Sequence, residues 1–186
     1  MALLVMPALA SCTPNNAAVG DTASVSGHVP HDSVDKSDML IGVVTAGDAQ
    51  LDRTVLNAFN KAGIKAIYAQ APYGGMALDP VQSFKDMARR PVRAFVVDSL
   101  DMGGQLADSW TKSLQSARNA GIPVILVNAV KPPADGKLYA ESLHIVSSDQ
   151  ADSSAQDGKG AIPLDQAVQS AVNDNPHAKT MSVTLP

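Results

Sequence analysis

Four short apolar runs, rich in β-branched residues, recur along the middle of the chain and constrain it more than anything else: MLIGVVT (39–45), IKAIYA (64–69), VRAFVVD (92–98) and IPVILVN (122–128). Each is too short for a helix and is apolar on both faces. That is the pattern of a strand buried inside a parallel sheet. Between them lie three amphipathic segments. Leu51, Val55, Phe59 and Ala62 share one helical face and Gly63 supplies a left-handed stop. Asp79-Pro80-Val81-Gln82 reads as a capped helix start, with Pro at the first helical position and Gln set to complete a capping box. Leu106, Trp110, Leu114 and Ala117 form a third stripe that ends at Gly121.

Strand and helix alternating with short loops predict an α/β fold: an open, doubly wound parallel sheet with helices on both faces. A fifth strand is predicted at 143–148 (LHIVSS), a fourth helix around Leu164, Ala167, Val168, Ala171 and Val172, and a sixth strand at 180–185 (TMSVTL). With 186 residues, one ordinary domain is the expected size, and an aromatic share of 4% predicts a core of Ala, Val, Leu and Ile.

Charge narrows the function classes. The net charge is -4 and the longest basic cluster is Arg89-Arg90, so the electrostatic footprint of a nucleic-acid binder is missing. One cysteine rules out an intramolecular disulfide and a thiolate zinc site. That cysteine, Cys12, follows the uncharged run ALLVMPAL (2–9), which is too short to span a bilayer, a task that takes about 20 apolar residues. Leu9-Ala10-Ser11-Cys12 resembles a bacterial lipoprotein lipobox, in which the cysteine carries the lipid. Residues 1–12 are therefore expected to be a lipoprotein signal segment, although the first basic residue of the chain is Lys36. Residues 13–38, polar and without a hydrophobic period, are expected to be a flexible tether. His28 and His31 lie in that tether without further ligand types in metal-site spacing and are read as solvated.

In an open parallel sheet, ligands collect at the carboxyl ends of the strands. The residues just past each predicted strand are Thr45, Ala46, Gly47 and Asp48; Gln70; Asp98, Ser99 and Asp101; Asn128; and Asp149 with Gln150. Carboxylates accept and amides both accept and donate in fixed directions, so such a rim suits the hydroxyls of a sugar or polyol. The candidate ligand-binding residues are Asp48, Gln70, Asp98, Asp101, Asn128, Asp149 and Gln150. Asp48 is equally placed to cap the first helix. The sequence has no G-x-S-x-G, Walker lysine loop or G-x-G-x-x-G. His144 falls within a strand and His177 in a helix-to-strand turn, so no catalytic role and no cofactor is expected.

The order of DMLIGVVTAG, ARRPVRAFVVDSLD, SARNAGIPVILVNAV and SLHIVSSDQADSS resembles the type I periplasmic sugar-binding proteins, relatives of ribose- and galactose-binding proteins. The resemblance implies an exported, lipid-anchored receptor that presents a sugar-like solute to an ABC permease in the bacterial cell membrane. It implies an N-terminal solute-binding lobe over 39–150, and in 151–186 the first helix and strand of an incomplete second lobe. Three features depart from the family pattern. Asn128-Ala129 stands where Asp-Arg is frequent, and Asp48-Ala49-Gln50 where an aromatic commonly stacks on the sugar. The chain also has about the length of one lobe, which implies truncation and an unpaired edge at the strand ending in Leu185. Two other readings compete: a degenerate single-lobe lipoprotein that docks another protein through its final strand or helix, and a flavin carrier or enzyme using Thr45-Ala46-Gly47 as a phosphate loop. A transcription regulator of related architecture would need a helix-turn-helix ahead of residue 39, which the tether does not provide.

Overall fold

The computed structural model describes residues 33–45, 48–69, 80–147 and 160–186. Seven strands form one parallel sheet: β1 (Leu40–Thr45), β2 (Lys65–Ala69), β3 (Ala94–Asp98), β4 (Val124–Val127), β5 (Glu141–Ile145), β6 (Ile162–Pro163) and β7 (Thr180–Thr184), in the order β2-β1-β3-β4-β5-β7-β6. Four helices accompany them among the described residues: α1 (Ala49–Lys61), α2 (Pro80–Ala88), α3 (Ala107–Asn119) and α4 (Leu164–Val172). The predicted α/β class and doubly wound arrangement are what the chain adopts. None of these helices is long and apolar enough to cross a membrane.

The two faces of the sheet are sealed by different helices. On one, Val55 and Phe59 of α1 and Leu164, Ala167 and Val168 of α4 pack on Ile41, Val43, Val96 and Ile125. On the other, Phe84 and Met87 of α2 and Trp110 and Leu114 of α3 pack on Val44, Phe95, Val97 and Leu126. Alternate residues of each central strand thus feed opposite cores, which is why those strands read as unbroken apolar runs. Phe84 stacks on Phe95 with ring centroids 4.4 Å apart and meets Trp110 edge-on at 6.2 Å. Gly42 makes room for this cluster: a Cβ there would sit 2.8 Å from the Phe95 ring. Gly63 and Gly121 take positive φ (75° and 70°) at the ends of α1 and α3, as the stop signals predict.

Among the described residues the chain after β5 stays in this sheet: β7 pairs in parallel with β5, Ser142 opposite Thr180 and Ile145 opposite Val183, while α4 covers the same face as α1. The apolar stripe of α4 finds its burial beside α1 on that shared face. On its outer side the final strand is paired over its last two residues, Ile162 opposite Val183 and Pro163 opposite Thr184, and Leu185 packs against the core. The end of the predicted tether is also fastened. Val34 N–H donates to Asn173 Oδ1 at 2.8 Å, Lys36 pairs with Asp165, and Lys36–Asp38 form a short 3-10 turn.

The fifth strand begins at Glu141, two residues before its predicted start, because its pairing with β4 runs from Ile125 opposite Glu141. The two-residue β6 has no sequence signal of its own.

Candidate functional site

The strand order reverses at β6, from which the chain returns to β7, and it also turns between β1 and β3. From β1 the chain passes through α1 to β2 on one side, then returns through α2 to β3 on the other. The helices leaving β1 and β3 diverge there, so the carboxyl ends of these two strands frame the crevice in which open α/β sheets take ligands. Thr45 and Asp98, the last residues of β1 and β3, are register partners across it. Both side chains are buried, Asp98 completely.

Beside this pair lies a polar cluster that the sequence reading missed. Asp52, in the first turn of α1, is 2% exposed. Its Oδ2 accepts the Tyr68 hydroxyl from β2, and its Oδ1 is buried with no hydrogen-bond partner among the described residues. Burial, the hydrogen bond to Asp52 and the charges of Asp52 and Asp98 all push the Tyr68 phenol up, while a hydrogen bond from Thr45 works in the opposite direction. Tyr68 therefore stays a neutral donor. Thr45, Asp52, Tyr68 and Asp98 form one acceptor-rich patch linked through the phenol. The signal for Asp52 was present: it shares the α1 face of Val55 and Phe59 at i+3 and i+7, a carboxylate set in an apolar stripe.

The predicted ligand residues divide. Asp98 stands at the crevice. Asp48 caps α1, its Oδ1 accepting the Gln50 and Leu51 amides at 3.0 Å each. Asp101 Oδ1 holds the Gly103 amide at 2.7 Å, and its backbone bridges to Lys131. Asn128 sits at φ 47°, donates its own amide to the Leu143 carbonyl at 2.8 Å and accepts the Ile145 amide on Oδ1 at 2.9 Å. It staples β4 to β5. Ser99, also left-handed at φ 48°, donates its amide to the Val127 carbonyl at 2.9 Å. Gln70, Asp149, Gln150 and Cys12, like His28, His31 and the Ala46-Gly47 pair, lie outside the described residues.

Two grooves flank the sheet. One of about 450 Å³ runs between β2 and α2, with Tyr68, Gln82, Asp86 and Arg90 in its walls. The other, about 310 Å³, lies over β5, β6 and β7, where His144, Thr180 and Ser182 face outward. Among the described residues no group of three His, Cys, Asp or Glu side chains could hold a metal ion. Among the described residues the crevice offers hydrogen-bond acceptors and a half-buried phenol.

No family model matches the sequence, and no curated protein matches it. Several solved structures are similar at low identity. One is the periplasmic binding protein component of the arabinose ABC transporter from Shewanella sp. ANA-3, bound to α- and β-L-arabinofuranose, at 18% identity and a TM-score of 0.46 over 78% of this chain and 54% of that one. A galactofuranose-binding protein is 15% identical with a TM-score of 0.44, covering 77% of this chain and 56% of that one. An ABC transporter solute-binding protein from Bacillus halodurans with bound myo-inositol is 15% identical with a TM-score of 0.43, covering 81% and 58%. The chain thus spans little more than half the length of these proteins.

Proposed function

We propose that the chain is a solute-binding lobe whose β1/β3 crevice takes a polyhydroxylated solute such as a sugar, by binding rather than catalysis. The observation that carries this reading is the junction of Thr45 and Asp98 where the strand order turns between β1 and β3, with Asp52 and Tyr68 behind them. Hydroxyl groups are matched by such a patch because each can donate to a carboxylate while accepting from an amide. The solvent-facing Asp101 extends the acceptor rim, and Gln70, Asp149 and Gln150, which follow β2 and β5 in the sequence, would add to it. Two left-handed residues, Ser99 and Asn128, carry the backbone past the ends of β3 and β4 toward the same edge.

In the same proposal Cys12 carries a lipid that holds the protein at the outer face of a bacterial membrane, and an ABC permease receives the solute. The lipobox-like Leu9-Ala10-Ser11-Cys12 supports the first point. One lobe buries less of a small ligand than a closed cleft does, so weak binding is expected from this chain alone.

Saturation-transfer NMR against pentoses, hexoses and inositols tests the solute class. Transfer from at least one of them is expected, with loss in Asp98→Ala; no transfer from any member would overturn the reading. Labelled palmitate fed to a bacterium expressing the full chain should enter the protein and fail to enter Cys12→Ser. Equal labelling of both, or none of either, contradicts the anchor.

A further inference from the structure

At the opposite, amino-terminal edge of the sheet the structure holds a pair of titratable side chains that the crevice does not use. Glu141 opens β5 and is fully buried in the core shared by α1 and α4. His177, 8% exposed, lies in the turn that leads from α4 to β7. Among the described residues neither carboxylate oxygen of Glu141 has a hydrogen-bond partner, nor does His177 Nε2, and Glu141 Oε2 faces that nitrogen at 3.9 Å. The distance is beyond a hydrogen bond but within reach of a small side-chain rotation.

The other imidazole nitrogen fixes the proton count. His177 Nδ1 lies 2.6 Å from the Asn175 carbonyl oxygen, which can only accept, so Nδ1 carries a hydrogen. In a neutral ring Nε2 then presents a lone pair toward Glu141. One further proton satisfies the contact, whether it resides on the carboxyl or on Nε2. Without it a buried carboxylate would face a lone pair.

We infer that Glu141 and His177 form a proton-locked clasp, a single shared proton tying β5 to the turn between α4 and β7, which loosens when that proton is lost to alkaline solvent. Among the surrounding charges Lys179 acts on Glu141, and its ammonium donates to the carbonyls of Gly136 (2.6 Å), Tyr139 and Ala140 (3.3 Å) and lies 3.9 Å over the Tyr139 ring. β4 and residues 166–172 of α4 carry no titratable side chain. On α1, Asp52 is bonded to Tyr68 and Lys61 to the Pro186 carbonyl, while Arg53 is exposed. Ahead of β1, Lys36 pairs with Asp165, and Asp35 and Asp38 are exposed. In the turn before β5, Asp135 caps the Lys137 amide and Lys137 is exposed.

The direction of the pH effect follows. Burial pushes the Glu141 carboxyl up from 4.5 to about 8, against a smaller downward pull from Lys179. Above about pH 6.5 a free imidazole is neutral and a free carboxyl ionised, so the unfolded chain holds neither proton. The folded pair still holds one until about pH 8. The unfolded state binds fewer protons in this window, so stability falls as pH rises through it.

Urea unfolding of the full chain at a series of pH values, with Glu141→Gln alongside, tests the clasp. Glutamine keeps a donor for His177 Nε2 and does not titrate. The midpoint of the natural protein should fall by one proton's worth of pH dependence between about pH 6.5 and 8, and that fall should vanish in the variant. Equal pH dependence in both overturns the clasp. Nitrogen NMR of the natural protein supplies a reading that does not depend on the variant folding. His177 should show Nδ1–H throughout, with Nε2 changing at the alkaline step; an Nε2–H tautomer, or a titration like that of free histidine, overturns it as well. Amide exchange, corrected for its intrinsic pH dependence, should accelerate in 173–184 at pH 9 and not in β1 or β3; uniform acceleration contradicts a local clasp.

Discussion

The Tyr68 hydroxyl donates to Asp52 Oδ2 beside the carboxyl ends of β1 and β3, so a strand and a helix are joined through a buried carboxylate. The other Asp52 oxygen already lacks a partner among the described residues. Tyr68→Phe should leave both without one and lower stability by about 1–3 kcal/mol, measured by urea unfolding. In an alkaline titration followed by tyrosine absorbance, the variant should lose the component that ionises above the ordinary tyrosine range. An unchanged titration would show that the bond to Asp52 is not formed.

Asn128 serves two purposes that two substitutions separate. Asn128→Ala removes the acceptor for the Ile145 amide and strains a backbone at φ 47°, whereas Asn128→Gly removes only the acceptor. Alanine should therefore cost about 1 kcal/mol more than glycine, since only glycine takes the left-handed region freely. Alanine and glycine variants of equal stability would count against this role.

Gly42 lies under the aromatic cluster. A Cβ there would stand 2.8 Å from the Phe95 ring and 3.0 Å from Met87 Sδ, both buried. Gly42→Ala should destabilise by about 1–3 kcal/mol. Adding Phe95→Leu should cost less than the sum of the single changes, because the smaller side chain relieves the clash. Strict additivity would refute the steric account.

Asp48 separates capping from ligand contact. Its Oδ1 accepts two amides of the first turn of α1. Asp48→Asn should keep that cap and Asp48→Ala should lower stability by about 1 kcal/mol. If the side chain only caps, solute binding is the same for the natural protein and the asparagine variant; weaker binding in that variant assigns Asp48 to the ligand.

The sequence reading and the fold agree where burial is symmetrical. The runs ending at Thr45, Asp98 and Asn128 are apolar on both faces because each strand feeds two cores, and that pattern survives without knowledge of partners. Helix ends were legible for the same local reason: Asp48, Gly63 and Gly121 act within one turn. What stayed hidden depends on distant pairing. Nothing in residues 180–184 distinguishes a strand that begins a new sheet from one that slides beside β5, because both need the same apolar alternation. The candidate site was half legible. Asp98 follows from topology, but Asn128 turned inward to hold the Ile145 amide, and Asp52 was masked by its place in an apolar stripe.

Backbone amide shifts in a titration with the best-binding sugar from the panel test the central claim most directly. The account predicts that the shifts gather at Thr45, Asp52, Asp98 and Ser99, and that Asp98→Asn abolishes them while leaving the rest of the spectrum intact. Shifts that gather instead around His144, Thr180 and Ser182, or that persist unchanged in Asp98→Asn, would contradict it.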